Sequence, residues 1–216
     1  MYKLQFSKNE MSSNYIGGNI YIDAEQILEL NEELIPFVTI SPDFYNTTPL
    51  KEDKKLTIFL HQNLFYKANS LAVLPLLSRN QMDDKTDEHY YKIVKYKVGE
   101  KPFIADENKL LPQIFIQTEE CTDEEFKEEL LDEINGSKIS KWLGRPGFIK
   151  DEIFIDRPFE FEIQLFENDL VKIEPFYNNC FGSGALYYFQ HKNRKWQICG
   201  YSFYSTQIPE IMKQAV

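Results

Sequence analysis

The chain has 216 residues, 43% of them apolar and 15% aromatic, enough for one large domain or two small ones with a full-sized core. Its formal net charge of −10 argues against nucleic acid as a partner, because phosphate binding needs a basic surface. No apolar run approaches the roughly 18–20 residues of a membrane-spanning helix, so no membrane span is expected.

The N-terminal stretch Met1-Tyr2-Lys3-Leu4-Gln5-Phe6-Ser7-Lys8 lacks the apolar middle of a signal peptide. Cys121, Cys180 and Cys199 are odd in number and have no CxxC spacing, which fits a reducing cytoplasm. The expected localisation is therefore cytoplasmic. The Asn46-Thr47-Thr48 sequon then has no consequence.

In chain order, Met1 to Phe6 reads as a first strand. Asn14 to Asn19 reads as a turn, with Gly17 and Gly18 free to take positive φ. Asp23 to Ile35 has a helical pattern, with Asp23 and Gln26 at capping-box positions and Pro36 as the stop. Pro42 to Asp53 is turn-rich, with an exposed surface expected. Leu56 to Leu64 is apolar enough for a central strand. Leu71 to Leu77, broken by Pro75, fits helix or strand equally. Asn80 to Glu88 is a charged loop, Tyr90 to Val98 a strand, and Gly99 to Pro102 a turn. Leu110 to Gln117 reads as a strand whose Pro112 points to a sheet edge.

Thr122 to Ile134 carries the clearest helix signal. Thr122 and Glu125 form a capping box, and Asn135-Gly136 stops the helix. Phe126, Leu130 and Ile134 lie four residues apart and predict one buried stripe, leaving Glu124, Glu125, Glu128, Glu129 and Asp132 exposed.

The most patterned stretch follows, Ser137 to Phe166. A glycine-proline turn, Gly144 to Gly147, leads to the alternation Phe159 to Leu165, the period of a half-buried strand that places Glu160 and Glu162 in solvent. Val171 to Glu174 reads as a short strand and Phe181 to Gly184 as a turn. Ala185 to His191 and Lys195 to Phe203 read as a hairpin, and Pro209 opens a short helix. Strands outnumber helices and do not alternate with them. The predicted class is α+β, mainly antiparallel β with a few peripheral helices, in a single domain spanning 1–216.

Two segments share a pattern of a glycine turn followed by a strand ending in glutamine. Gly17-Gly18 precedes Phe59 to Gln62, and Gly144 precedes Phe161 to Gln164. This suggests a duplicated β-rich unit, with pseudo-repeats 1–120 and 121–216. Ile58 to Leu64, Leu143 to Ile149, Phe161 to Leu165 and Gly182 to Phe189 extend the order of glycine turns and aromatic strands. In that order the chain resembles the YwqG-like family, a bacterial family of unknown function. The resemblance implies a mostly β fold with internal duplication and no established activity. The chain departs from the family pattern at Asn19 and Ile20, where a proline and a tryptophan are expected, and at Lys150, where a glutamine is expected.

Motifs for catalysis are missing. His61, His89 and His191 have no ligand spacing, so no metal and no cofactor is expected. Gly182-Ser183-Gly184 is neither a nucleophile elbow nor a phosphate loop. A Cys180–His191 pair lacks an identifiable third group. His61, Gln62, Gln164 and His191 remain as candidate pocket residues, against the plainer reading that the glutamines satisfy backbone groups. One feature exceeds composition: nine acids and one base lie between Gln117 and Asn135, so this segment carries −8 of the total −10. A solvated face is the plain reading of such a run. The functional reading is a docking surface for a basic protein through Glu124, Glu125, Glu128, Glu129 and Asp132. The leading expectation is thus a non-enzymatic binding protein, in its most concrete form an immunity-like protein that neutralises a basic toxin. The alternatives are a hydrolase-like enzyme or a small-ligand sensor with a pocket between the repeats.

Overall fold

The computed structural model describes residues 1–23, 25, 33–44, 53–62, 91–104, 109–132, 135–148, 159–181 and 184–191. These form strands β1 (Tyr2–Ser7), β2 (Asn14–Ile16), β3 (Tyr21–Ile22), β4 (Leu34–Ile40), β5 (Lys54–His61), β6 (Tyr91–Lys97), β7 (Lys101–Pro102) and β8 (Ile114–Glu120). Helix α1 (Asp123–Leu130), β9 (Lys141–Trp142), β10 (Phe159–Phe166), α2 (Glu167–Ile173) and β11 (Ala185–His191) follow. Among the described residues nine strands make one antiparallel sheet, in the order β11-β10-β9-β1-β8-β2-β4-β5-β6, and β3 pairs with β7 apart from it. The fold is α+β with β dominant.

One face of the sheet holds the main core. Leu4, Ile16, Val38, Ile40, Leu56, Ile58, Ile114, Ile116, Trp142, Ile163 and Leu165 belong to one buried cluster. The 3-10 turn Pro42–Phe44 closes it on one side, with Phe44 against Trp142 at 4.8 Å between ring centroids. The α2 helix packs on β1 and β10 and buries Leu170, and Phe37 meets Phe181 edge-on at 5.6 Å. Alternation along each strand sends the other residues to the opposite face. There two smaller clusters form, one around Phe59, Tyr96 and Ile20, the other around Phe148, Ala185 and Tyr187.

The expected strands at the N-terminus, in β5, in β6 and in β11 are present, as is the Gly17-Gly18 turn, with φ of 65° and 68°. Several expectations need correction. Leu34 to Pro36 is strand and not helix end: Pro36 sits in β4 where the register with β5 shifts, a position that tolerates a missing N–H. The remainder of that expected helix lies mostly outside the described residues, as do Leu71–Leu77, Asn80–Glu88, most of Pro42–Asp53, the return strand Lys195–Phe203 and the Pro209 segment. Strand β8 is central, and Pro112 precedes it, so no ladder bond is lost. Val171 to Ile173 is helical, the end of α2. Glu162 is buried, because β10 is an inner strand covered on both faces and its register shifts between Phe161 and Ile163. Phe44 is buried within the segment expected to be exposed.

Candidate functional site

The acidic segment is organised by its cap. Thr122 Oγ1 accepts from Glu125 N at 3.2 Å, and Glu125 Oε2 accepts from Thr122 N at 3.0 Å. This capping box turns the Glu125 side chain toward the start of the helix, where Lys3 Nζ on β1 donates to it at 2.7 Å. The Lys3 hydrogen bond, with the Thr122 N–H, holds the Glu125 carboxyl below its usual range. Glu129 lies one turn further on the same face.

Glu129 is 2% exposed and Lys141, on β9, is 0% exposed. Lys141 Nζ donates to Glu129 Oε2 at 2.6 Å. The same oxygen accepts from Ser137 N at 2.6 Å and Ser137 Oγ at 2.7 Å, and Arg145 N donates to Oε1 at 2.5 Å. The Arg145 guanidinium donates to the Glu129 carbonyl. Burial pushes the Glu129 carboxyl up, but the Lys141 ammonium and the N–H groups of Arg145 and Ser137 outweigh it, and its pKa lies below the usual value. Burial pushes the Lys141 ammonium down, and Glu129 offsets only part of that.

The glycine turn exists to enclose this pair. A Cβ on Gly136 would meet Glu129 Oε1 and Lys141 Nζ at 2.6 Å, and one on Gly144 would meet Glu129 Oε1 at 2.7 Å. Gln164 completes the surroundings, donating to Ile139 O at 2.8 Å and Ser137 O at 3.2 Å and accepting from Gly147 N at 2.7 Å. The plainer reading of Gln164 therefore holds: its amide satisfies turn backbone.

With Glu125 and Glu129 turned inward, the expected buried stripe points outward. Phe126 is 49% exposed, Leu130 58% and Leu131 81%. Asp123, Glu124, Lys127, Glu128 and Asp132 are exposed as well, as are Glu119 and Glu120 at the end of β8. Helix geometry explains the reversal. Residues 125 and 129 share a face, 126 and 130 lie about 100° further round, and only one of these faces can meet the body. The body offers Lys3, Lys141 and turn N–H groups, so the carboxylates go in. Ile134 lies outside the described residues. Sequence reasoning missed Lys3, Ser137 and Lys141. The density of glycines at 136, 144 and 147 was the available signal, since it marks close approach of backbone to something bulky.

The other candidates do not converge. His61 is buried at the end of β5, with Nε2 2.9 Å from Glu33 Oε2, and Gln62 N donates to Glu33 O at 2.8 Å. Gln164 lies on β10, six places from β5 in the sheet order. His191 is opposite Phe159 at the end of β11, and its side chain lies outside those described. The Cys180 thiol is pushed well up by burial and by Glu167 beside it, away from the thiolate a nucleophile needs. Among the described residues no cluster of three or more His, Cys, Asp or Glu is placed to hold a metal, and no helix is long and apolar enough to cross a membrane. Comparison with protein-family models, with curated proteins and with solved structures finds no match.

Proposed function

We propose that the protein is a non-enzymatic binding protein that docks a basic protein through the outward face of α1. The observation that supports this reading is the orientation of the helix. Phe126, Leu130 and Leu131 stand in solvent, with the exposed acids Glu124, Glu128 and Asp132 along one side and Lys127 among them. Burying such side chains is worth roughly 1.5–3 kcal/mol each, and this helix forgoes most of it. An apolar patch flanked by acids that outnumber its one lysine suits a partner with an apolar centre and basic residues beside it. Glu128, in the last turn at the unfavourable end of the helix dipole, is consistent with a role other than helix stability.

In its finer form the reading is an immunity-like protein of the bacterial cytoplasm that neutralises a basic toxin domain. The local acidity supports that form. The experiment is affinity capture from the source organism, followed by titration of the purified pair at low and high salt. A basic partner whose binding weakens steeply with salt, and weakens again on Glu124→Gln/Glu128→Gln, supports the reading. Recovery of no basic partner at low or moderate salt contradicts it.

A further inference from the structure

We infer that α1 is a docking arm added to one of two equivalent β units, its partner being a basic protein surface with an apolar ridge. The inference rests on the docking reading above and adds where the arm came from and how it is held.

Three strands on each side of the β1–β8 pair match, and β6, beyond β5, has no counterpart among the described residues. Outward from β8 come β2, β4 and β5; outward from β1 come β9, β10 and β11. In chain order these are β1-β2-β4-β5 and β8-β9-β10-β11, with β1 and β8 exchanged between the halves. The registers agree. Ile114, Ile16, Val38 and Ile58 stand side by side across one half. Tyr2, Trp142, Ile163 and Tyr188 do so across the other. In both halves the register shifts at the residue before the third member of the row, Phe37 and Glu162. The carbonyls of those two residues accept equivalent bonds, from Gly17 N at 2.7 Å and from Leu143 N at 2.8 Å. Both turns then take two positive φ values, Gly17-Gly18 and Leu143-Gly144. Asn14 Oδ1 accepts from Ser41 N at 2.7 Å, and its counterpart Ser140 Oγ accepts from Phe166 N at 2.8 Å. Chance does not reproduce a strand order, a bulge, a turn conformation and two hydrogen bonds at matched positions. The match pairs β10 with β4, so the counterpart of Gln164 is Thr39 and not Gln62.

Against that match the connections differ, and the one that carries α1 differs most in length. Ser7 and Asn14 are joined by residues 8–13, whereas their counterparts Glu119 and Ser140 are joined by residues 120–139, which include α1. The fold closes this link with six residues in one half, so the sheet does not require the helix. The anchor is also particular to this half. Lys141 has Tyr15 as its counterpart, whose hydroxyl donates to Asn19 O at 2.9 Å. A lysine at that place gives Glu129 a partner and pins the arm by its acidic side, leaving Phe126, Leu130 and Leu131 outward. A second copy of the chain is a poor occupant, because the acids beside the patch outnumber its one lysine and would mostly face their own like.

The test shortens the link to its counterpart's length by removing residues 121–134, with Lys141→Tyr to match Tyr15. The probe is a helical peptide of leucine and lysine, with a lysine-only peptide of equal charge as control. The wild type is expected to prefer the leucine-containing peptide. The shortened chain is expected to melt cooperatively, keep a β-type circular dichroism spectrum and bind that peptide at least about tenfold more weakly. Loss of cooperative melting overturns the claim that the arm is an addition. Retained affinity in the shortened chain overturns the arm as the docking site. In the full-length chain, Phe126→Ser/Leu130→Ser/Leu131→Ser is expected to abolish the preference for leucine while keeping the melting temperature. Unchanged preference in this variant overturns the apolar ridge. If the wild type shows no preference at all, the docking reading itself fails, whatever the shortened chain does. Self-association of the wild type that the triple variant removes would give the face to a second copy and overturn the basic partner.

Discussion

Replacing Glu129 by Gln keeps its shape and removes its charge, leaving the Lys141 ammonium at 0% exposure without a carboxylate. Three donors converge on Oε2, namely Lys141 Nζ, Ser137 N and Ser137 Oγ, and Arg145 N meets Oε1. Whichever way the new amide turns, its NH2 faces a donor. Breaking one side of a buried ion pair costs about 3–5 kcal/mol. A chain of this size loses about 2–4 °C of melting temperature per kcal/mol, so Tm is expected to fall by about 6–20 °C. The assay is thermal unfolding at neutral pH for Glu129→Gln, Lys141→Met and the double variant. The double variant is expected to lose clearly less than the sum of the singles, because it leaves no unpaired charge. A Glu129→Gln variant that melts within about 1 °C of wild type would refute the reasoning, since no buried partner would have been lost.

Two further outcomes follow from the same cluster. The folded pKa of Glu129 lies below its unfolded value of about 4.3, so its contribution is complete above that pH and is lost as pH falls through the folded pKa. Melts from about pH 6 to pH 3 are expected to show the gap between wild type and Glu129→Gln narrowing with acid, and a constant gap contradicts this. Gly136→Ala puts a Cβ against the Arg145 carbonyl and 2.6 Å from both Glu129 Oε1 and Lys141 Nζ. It is expected to destabilise by about 1–3 kcal/mol in chemical denaturation, and a neutral effect would mean that the turn is looser than described.

Local signals were legible in the sequence wherever a short-range rule decides the outcome. The Thr122–Glu125 box forms as its spacing implies, because cap and reciprocal bond involve only four residues. Gly17 and Gly18 take positive φ for the same reason. What was not legible depends on the partner across space. The apolar spacing of Phe126 and Leu130 fixes which residues share a face, but which face turns inward is set by Lys3, far away in sequence, and by Lys141, beyond the end of the helix. Glu162 keeps the alternation of an exposed position and is buried because β10 is an inner strand covered on both faces. The glycine turns were visible, yet pairing each with its glutamine matched β10 to β5. In the duplication inferred above β10 corresponds to β4, whose Thr39 carries no sequence likeness to Gln164. His61 and Gln164 were grouped as lining a pocket between the repeats, and strand order separates them.

The central claim is that the outward face of α1 meets the partner. Hydrogen exchange of the full-length protein, alone and with its captured basic partner, tests it most directly. The account predicts slowed exchange across residues 122–131 and the neighbouring end of β8, with β4, β5 and β6 unchanged. Protection centred on β5 and the His61–Glu33 pair, with α1 exchanging as in the free protein, would contradict it.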